Sequence, residues 1–161
     1  MPLTIFERYN VTENQTALVT GKLTFNVLNH KRKVKPNQWV QNPADEYSVT
    51  VENAVVVKGD ENLKNVLEER MYGDNNSLSL KNTGNFAPMI FGSDNSSKPA
   101  DELIPDGKQL ENGTEVLIHV STFKGNGNIG MSFDGIKLHE TLNLAPIVDV
   151  QSGIQASVFD F

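Results

Sequence analysis

The sequence contains no cysteine, and only 7% of its 161 residues are aromatic, with a single tryptophan. Without cysteine there is no disulfide scaffold, thiol nucleophile or thiolate-bound zinc. Long hydrophobic runs are missing too: no apolar stretch approaches the roughly 18 residues of a membrane span. The opening MPLTIFERYN lacks a basic flank ahead of an apolar core. The expectation is a soluble cytoplasmic protein with no membrane partner.

Reactive groups are equally sparse. His30, His119 and His139 are scattered along the chain, and none has a second ligand-type residue at zinc-site spacing. His119 and His139 fall in strand patterns, where a hydrogen-bonded structural histidine is expected. Glu68-Glu69 and Asp101-Glu102 read as solvated faces. The glycines of KGNGNIG lack the lysine-serine pair of a phosphate loop and open onto no helical pattern, so that segment reads as a hairpin turn. No set of side chains converges on catalysis or on a cofactor, and the expectation is a protein that is not an enzyme, with no metal.

Positive charge is in the minority. Lys and Arg total 14 against 20 Asp and Glu, a net charge of −6. Taken whole, that disfavours a polyanionic partner. The charge is unevenly placed, however. No acid occurs between Asn14 and Ala44, while Lys22, Lys31, Arg32, Lys33 and Lys35 give that window +5. The other nine cations face all twenty acids, a net of −11. One segment is built to meet an anion.

What fills the chain is mostly a hydrophobic period of two. Leu23, Phe25 and Val27 alternate with polar neighbours; so do Tyr47, Val49, Val51, Val55 and Val57, interrupted at Asn53, and Val116, Ile118 and Val120. In NIGMSFDGIKLHE the inward set runs Ile129, Met131, Phe133 and then switches to Ile136 and Leu138, which requires a bulge or tight turn at Asp134-Gly135. One segment has a different period. From Asp60, a plausible N-cap, Leu63, Val66, Leu67 and Met71 recur at helical spacing until Gly73. From Gly73 to Gly113, Asn, Ser, Gly and Pro dominate, and loops with at most one short strand are expected. Four or five bent strands with one inserted helix suggest a small closed or nearly closed barrel; a two-sheet sandwich fits the same pattern. Residues 1–145 read as one domain and 146–161 as an extended tail.

The basic run HKRKVK follows directly on a strand and leads to Gln38-Trp39. Cations that track phosphates beside a flat ring that stacks a base are the two parts of single-strand binding. Trp39 either stacks or packs against the core. Phe123 and Lys124 form a second pair: Phe123 has the outward parity near the end of its strand. The terminal Phe159-Asp160-Phe161 joins an aromatic ring to acid, a short docking pattern.

With GKLTFNVL and its basic continuation, the unit YSVTVENAVVVKGDENLKNVLEER and the run ELIPDGKQLENGTEVLIHVSTFKGNGNIGMSFDGIKL, the sequence resembles the bacteriophage single-stranded DNA-binding proteins of the single OB-fold type. The resemblance implies a mainly β, five-stranded OB-like barrel with one inserted helix and a flexible C-terminal tail. It implies coating of single-stranded DNA during phage replication and recombination in the cytoplasm of the infected host, often as a homo-oligomer. Lys22, Lys31, Arg32, Lys33, Lys35, Trp39, Phe123 and Lys124 would meet DNA. Asp160 and Phe161 would engage a replication or recombination partner, although acids are few in this tail. The competing reading is a β-sandwich structural module of a phage particle, with HKRKVK an exposed loop.

Overall fold

The computed structural model describes residues 3–38, 41–94, 96–140 and 142–147. Trp39, Asp160 and Phe161 lie outside them. The elements run α1 (Ile5–Arg8), β1 (Thr16–Arg32), β2 (Glu46–Gly59), α2 (Glu61–Arg70), β3 (Leu78–Asn82), β4 (Met89–Phe91), β5 (Ser97–Pro99), α3 (Ala100–Leu103), β6 (Lys108–Leu110), β7 (Glu115–Gly125), β8 (Asn128–Leu138) and β9 (Leu144–Pro146).

The molecule is mainly β, as the period of two predicts, but the sheet is larger than five strands. Seven strands run in the order β3-β2-β1-β7-β8-β4-β5, and β6 pairs separately with β9. No ladder joins β3 to β5 or β8, so the sheet is not closed into a barrel. It does curl back on itself: β3 lies against β8, where Asn82 Nδ2 donates to the Phe133 carbonyl at 2.8 Å. The region from Gly73 to Gly113, expected to be loops, contributes β3, β4, β5, α3 and β6. Those strands are only three to five residues long, too short for periodicity to register.

The long strands bend at bulges, and each bulge changes which side chains face the core. In β8, Val120 pairs with Phe133 and His119 with Gly135, so Asp134 is the extra residue, at the expected phase change. Ser121 Oγ donates to its carboxylate at 3.2 Å, and His119 Nδ1 lies 2.5 Å from it. His119 is thereby hydrogen-bonded on its strand, in a structural setting.

Two other phase changes overturn the expected core. In β1, Leu23 pairs with Val51 but Phe25 with Thr50, leaving Thr24 as the extra residue. Leu23, Asn26 and Leu28 are buried, while Phe25 turns outward. In β2, Asn53 takes a left-handed φ of 55°, after which Ala54 and Val56 face inward and Val55 and Val57 outward, each 54% exposed. Asn tolerates that conformation better than a β-branched residue does. Beside this bulge Gly21 has no room for a side chain: a Cβ there would lie 2.6 Å from that of Val51.

The core between these strands holds Leu23, Val51, Ile118, Val120, Phe133 and Ile136 at no more than 1% exposure. Full burial of one such side chain stabilises by about 1.5–3 kcal/mol. Leu63 and Leu67 of α2 complete that core, and Val66 packs with Phe6 of α1. Asp60 precedes α2 as expected, yet its carboxylate accepts from the Thr16 N–H at 2.9 Å instead of capping the helix. α2 ends at Arg70, before Gly73, and two one-turn helices add to the single helix expected. At the last described residues Pro146 closes β9, and the Ile147 N–H donates to the Gly107 carbonyl at 2.9 Å.

Candidate nucleic-acid interface

The strand carrying the basic run continues to Arg32, so HKRKVK is half strand and half loop. β7 covers β1 only from Thr16 to Lys22. Beyond that point Leu23 still bonds the backbone of Gly113 and Thr114, and the contacts that follow are made by β1's own side-chain amides. Asn26 Nδ2 donates to the Leu110 carbonyl at 2.9 Å and its Oδ1 accepts from the Leu110 N–H at 3.1 Å, imitating a strand pairing. Asn29 Nδ2 reaches the carbonyls of Ile104 and Pro105. These contacts hold the far half of β1 and send Phe25 to the outside.

There Phe25 meets Arg32. The guanidinium lies 5.7 Å from the centroid of the Phe25 ring. Its Nη2 donates to Glu46 Oε2 at 3.1 Å, and its Nε to Ser48 Oγ at 3.3 Å. Ser48 in turn donates to the same carboxylate oxygen at 2.9 Å. A cation held by two acceptors over an aromatic face forms a flat, preorganised surface. Phe25, 39% exposed, keeps enough free ring to stack.

This pair lines a groove of about 270 Å³, with Thr50, Ser79 and Lys81 on β2 and β3 and with Arg70 and Met131. Thr50 Oγ1 and Ser79 Oγ are 2.9 Å apart, and the Tyr72 hydroxyl is 3.0 Å from Ser79. Three cations stand against one carboxylate, Glu46, among the lining residues. Arg70 lies over the Phe6 ring at 5.2 Å, and partial desolvation lowers its guanidinium pKa without threatening its charge.

Lys31 leaves the other side of β1. Its Nζ donates to the Thr83 carbonyl at 3.2 Å and lies 6.0 Å over Tyr47, whose phenol is pushed up by burial and then by Asp101. Three residues after Thr83 comes Phe86, 85% exposed. Lys33 and Lys35 follow β1 and are exposed.

The remaining expected residues are not gathered here. Lys22 is in register between Glu52 on β2 and Glu115 on β7, ten residues before Arg32, or about 30 Å of extended strand. Its charge faces two acids. Phe123, 46% exposed as its parity predicts, lies over Gly130 on β8, where a Cβ would meet the ring at 2.6 Å. Lys124 shares a shallow pocket with Glu7 and Glu13 beside α1. These belong to the β7–β8 hairpin, whose Asn126-Gly127 turn has positive φ at both residues.

Phe25, Arg70, Lys81 and Phe86 are the residues that sequence reading missed. A signal for Phe25 exists: Leu23 and Leu28 differ in parity, so a phase change had to fall between them. Lys81 sits on the polar parity of LSLKN. Among the described residues, no group of three or more His, Asp or Glu side chains could hold a metal ion.

No protein-family model matches the chain, and no curated protein matches it. Solved structures it is similar to include three of a bacteriophage single-stranded DNA-binding protein. The protein from bacteriophage Enc34 has 8% identity and a TM-score of 0.49, with 88% of this chain and 94% of that one covered. The same protein in complex with single-stranded DNA gives 7% and 0.49, covering 85% and 95%. Its C-terminal truncation gives 9% and 0.45, covering 84% and 94%. Such scores leave the roles of individual residues to this chain's own geometry.

Proposed function

We propose that the chain binds single-stranded DNA without sequence preference, through the groove on β2 and β3. The observation that carries the reading is the Phe25–Arg32 pair, fixed by Glu46 and open to solvent beside Lys81. Stacked rings and flanking cations are what a single strand needs, because every base has a flat face and every nucleotide a phosphate.

The strand order supports the same reading. Taken as five strands, β3-β2-β1-β7-β8 with β3 returning to β8 has the connectivity of an OB barrel left partly open. In that fold the second and third strands and the loops after the first and fourth bind oligonucleotides. Here those are β2 and β3, the basic segment 33–45 and the turn after Phe123 and Lys124. Phosphates would follow Lys31, Lys33, Lys35 and Lys81, with Arg32 behind them. Bases would stack on Phe25, on Phe86 and on Trp39. The role is protection of single strands during phage replication and recombination, with Asp160 and Phe161 as the point of contact for a partner protein.

Oligo-dT titration tests this. The expected result is quenching of the single tryptophan's fluorescence and an affinity that falls with salt at a log–log slope of about −3, four phosphates at 0.7 each. A folded protein that bound no oligo-dT at about 50 mM salt would overturn the reading.

A further inference from the structure

The outer face of the sheet carries a knob and a hollow that fit one another. The knob is Val55 and Val57 on β2, each 54% exposed although β-branched and apolar. They point outward because the phase turns at Asn53, and a bulge that sets both Val57 and Lys58 opposite Leu18 leaves Lys58 on the same side. The hollow lies on the other side of the sheet's middle pair, over Gly135 of β8. Beside Gly135 there is a space of about 590 Å³ walled mainly by Leu18, Leu117, Met89 and Phe91, with His119, Asp134 and Lys137 also in the wall. None of these residues lines the groove that holds Phe25 and Arg32.

We propose that this face docks a second copy of the chain. Sheet order places β2 on one side of β1 and β7, and β8 with β4 on the other. A two-fold axis running along the strands between β1 and β7 exchanges those sides. Each copy's valines then enter the other's hollow, so one patch serves both subunits and the contact closes as a dimer. Charge agrees with shape. Lys58 stands opposite Leu18, Leu18 opposite His119, and His119 opposite Gly135, so Lys58 and the adjacent Asp134 lie along one row. The same axis carries Lys58 of each subunit onto Asp134 of the other. Val55 and Val57 with Phe91 and the apolar walls of the hollow leave a contiguous apolar stretch on the sheet exterior, the feature that marks an interaction surface.

Sedimentation of the full chain across a concentration series up to about 100 µM reads the proposal directly, since dimer content follows mass action. The expected result is a dimer that Val57→Asp weakens by more than about tenfold. Lys58→Asp and Asp134→Lys should each weaken it, and the double variant should recover it. That recovery separates a paired contact from the loss of Asp134's own bonds to His119 and Ser121. A wild-type chain that stays monomeric throughout the series overturns the proposal, as does a dimer indifferent to Val57→Asp or a double variant no better than its parents. If the wild type proved monomeric and the Val57→Asp variant lost oligo-dT binding, the face would belong to nucleic acid and the proposal would fail. Retained oligo-dT binding in a monomeric Val57→Asp variant leaves the DNA reading standing independently of the dimer.

Discussion

Across the β1–β2 pair, Arg32 donates to Glu46 at 3.1 Å, and Glu46 is only 8% exposed. The carboxylate does two things: it orients the guanidinium over Phe25, and it cancels a charge that a phosphate would otherwise use. Glu46→Gln keeps the shape and a hydrogen-bond acceptor but removes that competition. The expected outcome is tighter oligo-dT binding at low salt and a salt slope steeper by about 0.7, one more phosphate engaged. A slope unchanged in this variant would show that Arg32 meets no phosphate.

Phe25→Ala removes the ring while leaving the core intact, since Phe25 lies on the outer face. Oligo-dT affinity should fall by about 1–3 kcal/mol, the worth of one stacked base. The melting temperature should change little. Phe86→Ala, at a position still more exposed, should give the same kind of loss with no change in stability. A large drop in melting temperature for Phe25→Ala would place the ring in the core.

The exposed Lys33 and Lys35 differ from Lys22 in what faces them. Replacing both with Ala should flatten the salt slope by about 1.4, two phosphates at 0.7 each. Lys22→Ala should leave the slope unchanged, because that charge stands between Glu52 and Glu115. Equal effects from the two variants would put Lys22 on the DNA path.

Asn26 is 1% exposed, and both halves of its amide bond the Leu110 backbone. Asn26→Leu strands that N–H and carbonyl in the interior. Each unsatisfied buried group costs about 1–3 kcal/mol, so chemical denaturation should show a loss of at least that size. A neutral result would mean that water reaches Leu110.

Glu69 accepts from Arg8 and from the Tyr9 hydroxyl, at 2.8 and 2.7 Å, and joins α1 to α2. Those bonds, Arg8 first, hold its carboxyl below the ordinary value. A carboxyl depressed in the folded state stabilises above its unfolded pKa and loses that contribution as pH falls through its folded one. Melting curves of the wild type and Glu69→Gln should therefore differ at neutral pH and converge in acid. Since all three groups are solvent-accessible, the difference is small. Curves that stay apart in acid would assign the effect to something other than ionisation.

How much of this was legible from residues alone depends on length and on phase. β7, β8 and α2 were readable because their apolar residues repeat over enough positions to define a period, and the bulge at Asp134 because the period visibly slips there. β3 to β6 were not readable, since three to five residues carry too few repeats. In β1 and β2 the alternation of apolar residues runs on across the bulges at Thr24 and Asn53, so period alone places Phe25, Val55 and Val57 in the core. A single extra residue reverses every side chain after it, and local sequence carries little trace of the reversal.

Composition and order were enough to establish a mainly β chain with its cations concentrated after one strand, because period and charge are local properties. Which cations lie together is decided by the tertiary structure. Arg32 reaches Phe25 and Glu46, seven and fourteen positions away, only because β1 bulges and β2 returns beside it. The same bends separate Lys22 from the groove and bring Lys81 into it. A site made by strands crossing at bulges exists only once the sheet has formed, since no one segment contains its geometry.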